Sequence, residues 1–250
     1  MLGHCSYFSE VLQRRKSYVV VTPEKQLGKT KVVILLHGIG SDETSWMCNA
    51  PLQDLADEYQ TAFFCPSGEN SFYTNQKDGP NFAKAFGEEF VEYLQQWFTF
   101  DFSRDNLQLA GFSMGGYGAT LLGLRYPERF SRIGAFSPAF VFYKKERNDS
   151  LFNQVFSRGD YGSENDCVFL YKHLLESNRT IPTIQFSCGV ADPLHKETKN
   201  VMEAIVEMNP KANVSFYTED GFHDFSLWRN DLKRFLETRT NNLTGFFNEV

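Results

Sequence analysis

Short apolar runs alternate with amphipathic segments along this chain, and no other feature of the sequence constrains the fold as strongly. The run at 32–36 is continuously apolar, which is typical of a strand buried on both faces of a sheet. The segment at 81–98 spaces its large apolar residues three to four positions apart, which predicts one apolar helix face. The predicted strands are 18–22, 32–36, 61–65, 107–111, 132–137, 183–188 and 214–218, and the predicted helices are 50–59, 81–98, 114–126, 196–208 and 225–236.

Strands that alternate with helices favour a mostly parallel sheet with helices on both faces, so we predict the α/β class. The segments 5–12 and 17–21 predict an antiparallel hairpin at one edge. A length of 250 residues without a repeat, linker or low-complexity tract predicts one domain over 1–250. Residues from about 140 to 181 break the alternation. They are interpreted either as a small cap insertion over the functional site or as an ordinary surface excursion.

Composition excludes several classes of partner. The net charge is −6 and the basic residues are scattered, so we expect no nucleic-acid partner. No run approaches 18 apolar residues, so no membrane span is expected, and the first residues lack the pattern of a signal peptide.

An odd number of widely spaced cysteines predicts reduced thiols and a cytoplasmic location. They are Cys5, Cys48, Cys65, Cys167 and Cys188.

A glycine-rich junction places one serine between a predicted strand and a predicted helix. The sequence Gly111-Phe-Ser113-Met-Gly115 matches G-x-S-x-G, follows the apolar residues 107–110 and opens the helix at 114–126. The bare pattern is weak, but strand, tight turn and helix in this order are what a nucleophile elbow needs. We therefore predict that Ser113 is a catalytic nucleophile.

A serine nucleophile needs a base, and His223 has the expected position. It follows the predicted strand 214–218, lies next to Gly221, and precedes the last predicted helix. In folds with this elbow the chain order is serine, acid, histidine. The other histidines fit this order less well, because they precede the sheet, follow strand 32–36, lie in the excursion or adjoin the predicted acid. They are His4, His37, His173 and His195.

Asp192 is the predicted acid, because it follows the strand at 183–188 in the turn Gly189-Val-Ala-Asp192-Pro. Its role would be to orient the imidazole and to stabilise the imidazolium. The alternative is that Asp192 is a turn or helix-capping residue only. Other acidic residues either flank the base too closely or lie in the excursion, namely Asp160, Asp166, Asp220 and Asp224.

Two backbone N–H groups are predicted to form an oxyanion hole. One belongs to Met114, which follows the nucleophile. The other belongs to Ile39, in the glycine-flanked loop His37-Gly38-Ile39-Gly40 after strand 32–36. His37 is expected to order this loop. No HExxH, CxxC, GxGxxG or Walker pattern occurs, so we expect no metal and no cofactor.

Taken together, five segments resemble the esterase D-like branch of the α/β-hydrolases, and the nearest likeness is to bacterial tributyrin esterases and small acetylesterases. The resemblance covers most of the chain. The segments are Leu35-Leu-His-Gly-Ile-Gly with Ser45-Trp46, Ser71-Phe-Tyr-Thr74, Gly111-Phe-Ser-Met-Gly-Gly-Tyr-Gly118, Cys188-Gly-Val-Ala-Asp192 and Gly221-Phe-His-Asp-Phe.

This resemblance implies the α/β-hydrolase fold, hydrolysis of short-chain acyl esters of small molecules, no cofactor, and frequent homo-oligomers. By the same likeness, Phe72 and Tyr73 are expected to line the substrate pocket, although family members often have Trp where this chain has Phe72. Two alternatives stay open. One is a thioesterase of the S-formylglutathione hydrolase type, and the other is a non-catalytic binding module on a hydrolase scaffold.

Overall fold

An eight-stranded, mostly parallel sheet forms the centre of the protein. The computed structural model describes residues 1–76, 79–140, 155–156 and 163–238. The strands are β1 (Leu2–Ser9), β2 (Arg14–Val21), β3 (Lys31–Leu36), β4 (Thr61–Pro66), β5 (Leu107–Phe112), β6 (Arg132–Phe136), β7 (Thr183–Gly189) and β8 (Val214–Glu219). Their order across the sheet is β1-β2-β4-β3-β5-β6-β7-β8.

The sheet combines an antiparallel edge with a parallel body. β1 pairs with β2, and β2 with β4, in antiparallel fashion, which confirms the predicted N-terminal hairpin. All pairings from β4 through β8 are parallel. Every residue of β5 and β6 is buried, as expected for strands covered by helices on both faces. The carboxyl ends of the parallel strands therefore share one edge of the sheet, where loops can meet.

Helices cover both faces of the sheet. They are α1 (Ser45–Asn49), α2 (Leu52–Tyr59), α3 (Phe82–Lys84, Ala85–Glu89 and Phe90–Trp97 in continuous succession), α4 (Met114–Arg125), α5 (Cys167–Glu176), α6 (His195–Met208) and α7 (Phe225–Glu237). One apolar core lies between the sheet and α1, α2 and α7. The other lies between the sheet and α3 to α6.

The structure departs from the predicted helices at three places. Pro51 separates α1 from α2, so the predicted helix at 50–59 begins at Leu52. The middle of α3, Ala85–Glu89, is a π-helical turn, which a spacing of three to four residues does not distinguish from an α-helix. Neither α1 nor α5 was predicted.

Helix α5 occupies part of the predicted cap insertion at about 140–181. The segment before it is tied to α4, because the Tyr117 hydroxyl donates to the Asn165 carbonyl at 2.6 Å. Arg125 of α4 also pairs with Glu164 at 3.0 Å. This part of the insertion therefore packs as a regular layer of the fold. The rest of the predicted cap, 141–154 and 157–162, lies outside the described residues.

The five cysteines are free thiols, as their spacing predicted. Within the described ranges, no helix combines the length and the apolar character that crossing a bilayer would require.

Helix α7 buries a carboxyl group against a polar part of the sheet. Asp231 is only 1% exposed. It accepts a hydrogen bond from Arg234 at 2.9 Å. Burial, with the charge of nearby Glu219, raises the pKa of Asp231 to about 7, and the nearby Ser187 hydroxyl and the Arg234 guanidinium offset this only in part. Because the ordinary carboxyl pKa is about 4, the folded protein binds a proton here more tightly than the unfolded chain does.

The Asp231→Asn variant should therefore be more stable than the wild type at alkaline pH. Between about pH 4 and pH 7 the wild-type free energy of unfolding falls as pH rises, because the folded state must give up a proton that the unfolded chain has already lost. At pH 8 we expect the variant to gain about 4 kcal/mol, and at pH 4.5 only about 1 kcal/mol. Urea unfolding at both pH values measures this difference. Asp105→Asn, at a side chain 90% exposed, is the control, and an equal gain at both pH values would contradict the argument.

Candidate active site

Ser113 stands at a strained turn between β5 and α4. Its backbone has φ 54° and ψ −118°, a conformation that L-residues rarely adopt. The turn is held by main-chain hydrogen bonds, from the Ser113 N–H to the Phe136 carbonyl at 2.9 Å and from the Ala139 N–H to the Ser113 carbonyl at 3.1 Å. A methyl group at Gly115 would lie 2.3 Å from the Leu36 carbonyl oxygen, so the helix approaches β3 as closely as a glycine allows. The predicted elbow geometry is therefore present.

The structure brings Ser113, His223 and Asp192 together in a hydrogen-bonded chain. His223 Nε2 is 3.0 Å from Ser113 Oγ, and His223 Nδ1 is 2.8 Å from Asp192 Oδ2. His223 follows β8 and Asp192 follows β7. These two loops are joined by the hydrogen bond from the Ala191 N–H to the Gly221 carbonyl at 3.1 Å. Residues that are 110 positions apart in the chain thus meet at the carboxyl edge of the sheet.

The electrostatics of Asp192 suit a carboxylate that orients an imidazole. Burial by itself raises the pKa of this carboxyl, but hydrogen bonds from His223, the Leu194 N–H and Ser137 outweigh it and hold the pKa below its ordinary value. Asp192 is therefore ionised at neutral pH and accepts a hydrogen bond from the N–H of His223 Nδ1. His223 Nε2 is left free to accept the Ser113 hydroxyl proton. Burial raises the pKa of the adjacent Cys188 thiol to about 12, so this side chain adds no second charge.

The two predicted oxyanion donors follow different strands of the sheet. Met114 is the first residue of α4 and directly follows Ser113, where helix N–H groups are free. Ile39 lies in the loop after β3. Within the part of the chain that is described, neither N–H donates to a protein acceptor. Both are therefore available to a developing oxyanion if a substrate carbonyl lies between them.

The loop that carries Ile39 is held by its neighbours on both sides. His37 Nε2 accepts the Gly68 N–H at 2.8 Å, so Nδ1 carries the proton and donates to the Gly38 carbonyl at 2.7 Å. Burial lowers the pKa of His37, which keeps the ring neutral and preserves this pair of bonds. The Gly40 N–H donates to Asn70 at 2.8 Å. His37 orders the loop, as the sequence predicted, while the contribution of Asn70 was not foreseen.

The expectation that Phe72 and Tyr73 line the substrate pocket needs correction. Both rings are fully buried and present no surface to a ligand in this structure. The Tyr73 hydroxyl accepts the His37 N–H at 3.1 Å and donates to the His37 carbonyl at 3.2 Å. Both residues have positive φ angles, 52° and 57°, and this turn aims Tyr73 inward beneath the loop. A family likeness assigns a place in the chain, but the backbone turn decides where the ring points.

Replacing Tyr73 by Phe should weaken catalysis without creating a cavity in the core. The variant keeps the ring but leaves two main-chain groups of His37 without a partner, which costs about 1–3 kcal/mol of stability. We expect kcat on an acetate ester to fall about tenfold, because the Ile39 donor is less firmly held, with little change in KM. Tyr171→Phe, which removes another buried hydroxyl at a bond to Asn209, is the matched control. Equal kcat in the two variants would contradict a role in holding this loop.

The rival residues are bonded elsewhere. His195 Nε2 contacts the Thr218 hydroxyl at 3.1 Å. His4 pairs with Glu43 at 2.8 Å. Asp224 and Asp166 cap the N-termini of α7 and α5. The remaining rivals are His173 on α5, Asp220 on the exposed loop after β8, and Asp160, which lies outside the described residues.

Two residues of the site were not predicted. Trp228 in α7 donates its indole N–H to the Ser137 hydroxyl at 3.0 Å, and the Ser137 hydroxyl is among the groups that lower the pKa of Asp192. Ser137 closes the predicted strand 132–137, so its place at the carboxyl edge was a signal that it lies near the other strand ends. The partnership with Trp228 had no comparable local signal.

Comparisons with known proteins find similarity over most of the chain. Residues 9–238 match the family model Esterase, described as "Putative esterase". An acetyl esterase of Caldicellulosiruptor saccharolyticus is 28% identical over 246 residues, which cover 89% of this chain and 92% of that protein.

Two solved structures from Staphylococcus aureus are similar over nearly the whole chain. The fluorophosphonate-binding serine hydrolase F, with substrate bound, has a TM-score of 0.86 at 25% identity. The alignment covers 94% of this chain and 96% of that protein. An S-formylglutathione hydrolase has a TM-score of 0.84 at 25% identity. The alignment covers 94% of this chain and 97% of that protein. The fold is therefore the α/β-hydrolase fold, as predicted.

Proposed function

Since this chain belongs to the Esterase family and is a carboxylic ester hydrolase, we propose that it cleaves short-chain acyl esters, above all acetyl esters, through an acyl-enzyme on Ser113. The observation that carries this proposal is the hydrogen-bonded chain from Ser113 through His223 to Asp192. Each member lies on a different loop at the carboxyl edge of the sheet. Such a constellation serves nucleophilic acyl transfer.

In the proposed mechanism Ser113 Oγ attacks the ester carbonyl carbon while His223 Nε2 takes the hydroxyl proton. The carbonyl oxygen becomes an oxyanion and accepts hydrogen bonds from the N–H groups of Met114 and Ile39. The carbon–oxygen bond to the alcohol then breaks as His223 returns the proton to the leaving oxygen. Water, deprotonated by His223, adds to the acyl-enzyme, and the acid leaves as Ser113 recovers its proton. Asp192 stays ionised and orients His223 throughout.

The surroundings of the site support an uncharged substrate. Three apolar side chains on the loops after β3, β7 and β8 are exposed, Ile39 by 39%, Val190 by 57% and Phe222 by 67%. Exposed apolar groups at a site favour apolar parts of a ligand. The net charge of −6 also disfavours strongly anionic esters. The acetyl esterase relative supports the acetyl group as the acyl part.

A substrate panel tests this proposal. We expect kcat/KM to be highest for nitrophenyl acetate, and to fall at least about tenfold between butyrate and octanoate because a short-chain site excludes long chains. Acetylated sugars form the second arm. A higher kcat/KM for long-chain esters than for acetate would contradict the short-chain assignment.

The similarity to an S-formylglutathione hydrolase favours a thioesterase as the second candidate. Matched acetyl oxyesters and thioesters, together with S-formylglutathione, distinguish the two activities. The proposal predicts faster turnover of the oxyester. Turnover of S-formylglutathione above that of every oxyester would favour the second candidate instead.

Two wider expectations accompany this function. Free thiols at all five cysteines support a location in the reducing cytoplasm. The one sheet that includes both β1 and β8 supports a single domain over 1–250.

A further inference from the structure

One aromatic side chain, that of Trp228, contacts both His223 and the residue that precedes Ser113. The Trp228 ring stacks on Phe112, the residue before the nucleophile, with ring centroids 4.4 Å apart. Its ring meets that of His223 edge to face, at 4.9 Å and 87°. Its Nε1 donates to Ser137 Oγ at 3.0 Å. Trp228 is only 5% exposed, so these contacts are made inside the protein.

Ser137 is held in a conformation that its residue type disfavours. Its φ is 44°, in the left-handed region, although it is not a glycine. Its N–H donates to the Ser187 carbonyl at 2.7 Å, which fixes the turn after β6 against β7. A strained turn of this kind persists only where the surrounding structure holds it, and such turns cluster at functional sites. Here the turn places the Ser137 hydroxyl at the Trp228 indole N–H.

The direction of each proton in this network follows from the chemistry of the groups. An indole N–H can only donate, so Ser137 Oγ accepts from Trp228. His223 Nδ1 donates to the Asp192 carboxylate. The Trp228 ring is bonded through Nε1 to the turn at Ser137 and packs against the His223 imidazole, so the turn fixes the ring against which His223 lies.

We propose that Ser137 and Trp228 are positioning residues for the reaction. Ser137 fixes the Trp228 ring, and this ring packs against Phe112 and His223 and holds them in the geometry that activates Ser113. This rests on the proposed roles of Ser113, Asp192 and His223. Ser137 is fully buried and Trp228 nearly so, so neither presents surface to a substrate. Their loss should lower kcat and leave KM almost unchanged, because misplaced catalytic groups weaken the transition state more than the bound ester.

Three variants and one control test this proposal. Ser137→Ala removes the hydroxyl, Trp228→Phe keeps a ring but removes the indole donor, and the third combines both. The control is Trp46→Phe, because Trp46 is also buried, also packs on Phe112, and loses a comparable bond from Nε1 to the Leu36 carbonyl. Among the described residues, it makes no ring contact with His223 and no hydrogen bond with Ser137.

We expect kcat on nitrophenyl acetate to fall about 10- to 100-fold in each single variant, with KM within about twofold of wild type. The double variant should lose little more than the worse single variant, because both residues act through one chain of bonds. Trp46→Phe should keep kcat within about threefold. Thermal unfolding of every variant confirms the fold, and Trp228→Phe decides the question if Ser137→Ala does not fold.

Covalent labelling of the wild type separates the failure of this proposal from failure of the proposed function. If a fluorophosphonate probe labels wild-type Ser113, the nucleophile stands whatever the variants do. In that case, folded variants with kcat equal to that of Trp46→Phe, or a double variant with a fully additive loss, would overturn the positioning role. If the probe labels the wild type elsewhere, the proposed function itself fails.

Discussion

Ser113→Ala should lower kcat/KM on nitrophenyl acetate by a factor of at least about 10⁴. The hydroxyl is the atom that would bond to the acyl carbon, and its proton is the one that His223 would accept across 3.0 Å. Without it, the oxyanion donors and the binding site can only favour direct attack by water, which leaves a small residual rate. The fold should be unaffected, because alanine occupies less space and the turn is held by main-chain bonds.

Initial rates and fluorophosphonate labelling measure this result, and thermal unfolding confirms the fold. Ser177→Ala is the matched control, because Ser177 is an exposed serine at the end of α5. Its rates should equal those of the wild type. Turnover of the Ser113 variant within tenfold of wild type would show that another group carries the reaction, and both proposals would then lose their basis.

The Gly115→Ala variant should be strongly destabilised and nearly inactive. The added methyl carbon would lie 2.3 Å from the Leu36 carbonyl oxygen and 2.7 Å from that of His37. Both oxygens belong to the main chain, and β3 is paired on both sides, so they have little freedom to move. Helix α4 would have to shift away from β3 and take the elbow with it. We expect a loss of about 3 kcal/mol or more in the free energy of unfolding.

Catalysis should suffer as well, because the same shift separates Met114 from the loop that carries Ile39. At temperatures where the variant is still folded, we expect kcat to fall more than about tenfold. Gly28→Ala is the matched control, since a methyl group there meets nothing within 4 Å. Urea unfolding and initial rates of both variants test the argument. A Gly115→Ala protein as stable as Gly28→Ala would contradict the argument, because it would show that α4 accommodates the added methyl group next to β3.

Much of the sheet could be read from the chain, because a strand buried on both faces must be apolar at consecutive positions. The predicted strand 32–36 corresponds to Lys31–Leu36, and 183–188 to Thr183–Gly189. Helix α5 was missed, since it lies in an aromatic-rich segment whose spacing did not stand out. Its packing against α4 is a tertiary contact.

Chain order also determined the candidate triad. In a parallel sheet each strand ends at the same edge, so residues that follow successive strands meet there whatever their separation in sequence. Ser113, Asp192 and His223 follow β5, β7 and β8, and their type and order sufficed to select them. The Met114 and Ile39 donors depend on the same rule, because their main-chain groups follow β5 and β3.

Only the tertiary structure decided where side chains point and which groups they meet. Tyr73 turns inward to His37, although its place in the chain suggested a pocket wall. Trp228 and Ser137 are bonded across 91 residues. That contact depends on how α7 packs on the sheet and on a left-handed turn at Ser137, and neither is encoded by local periodicity. Sequence therefore determined which residues could form the triad. Long-range packing decided which other side chains hold Ser113 and its hydrogen-bonded partners in place.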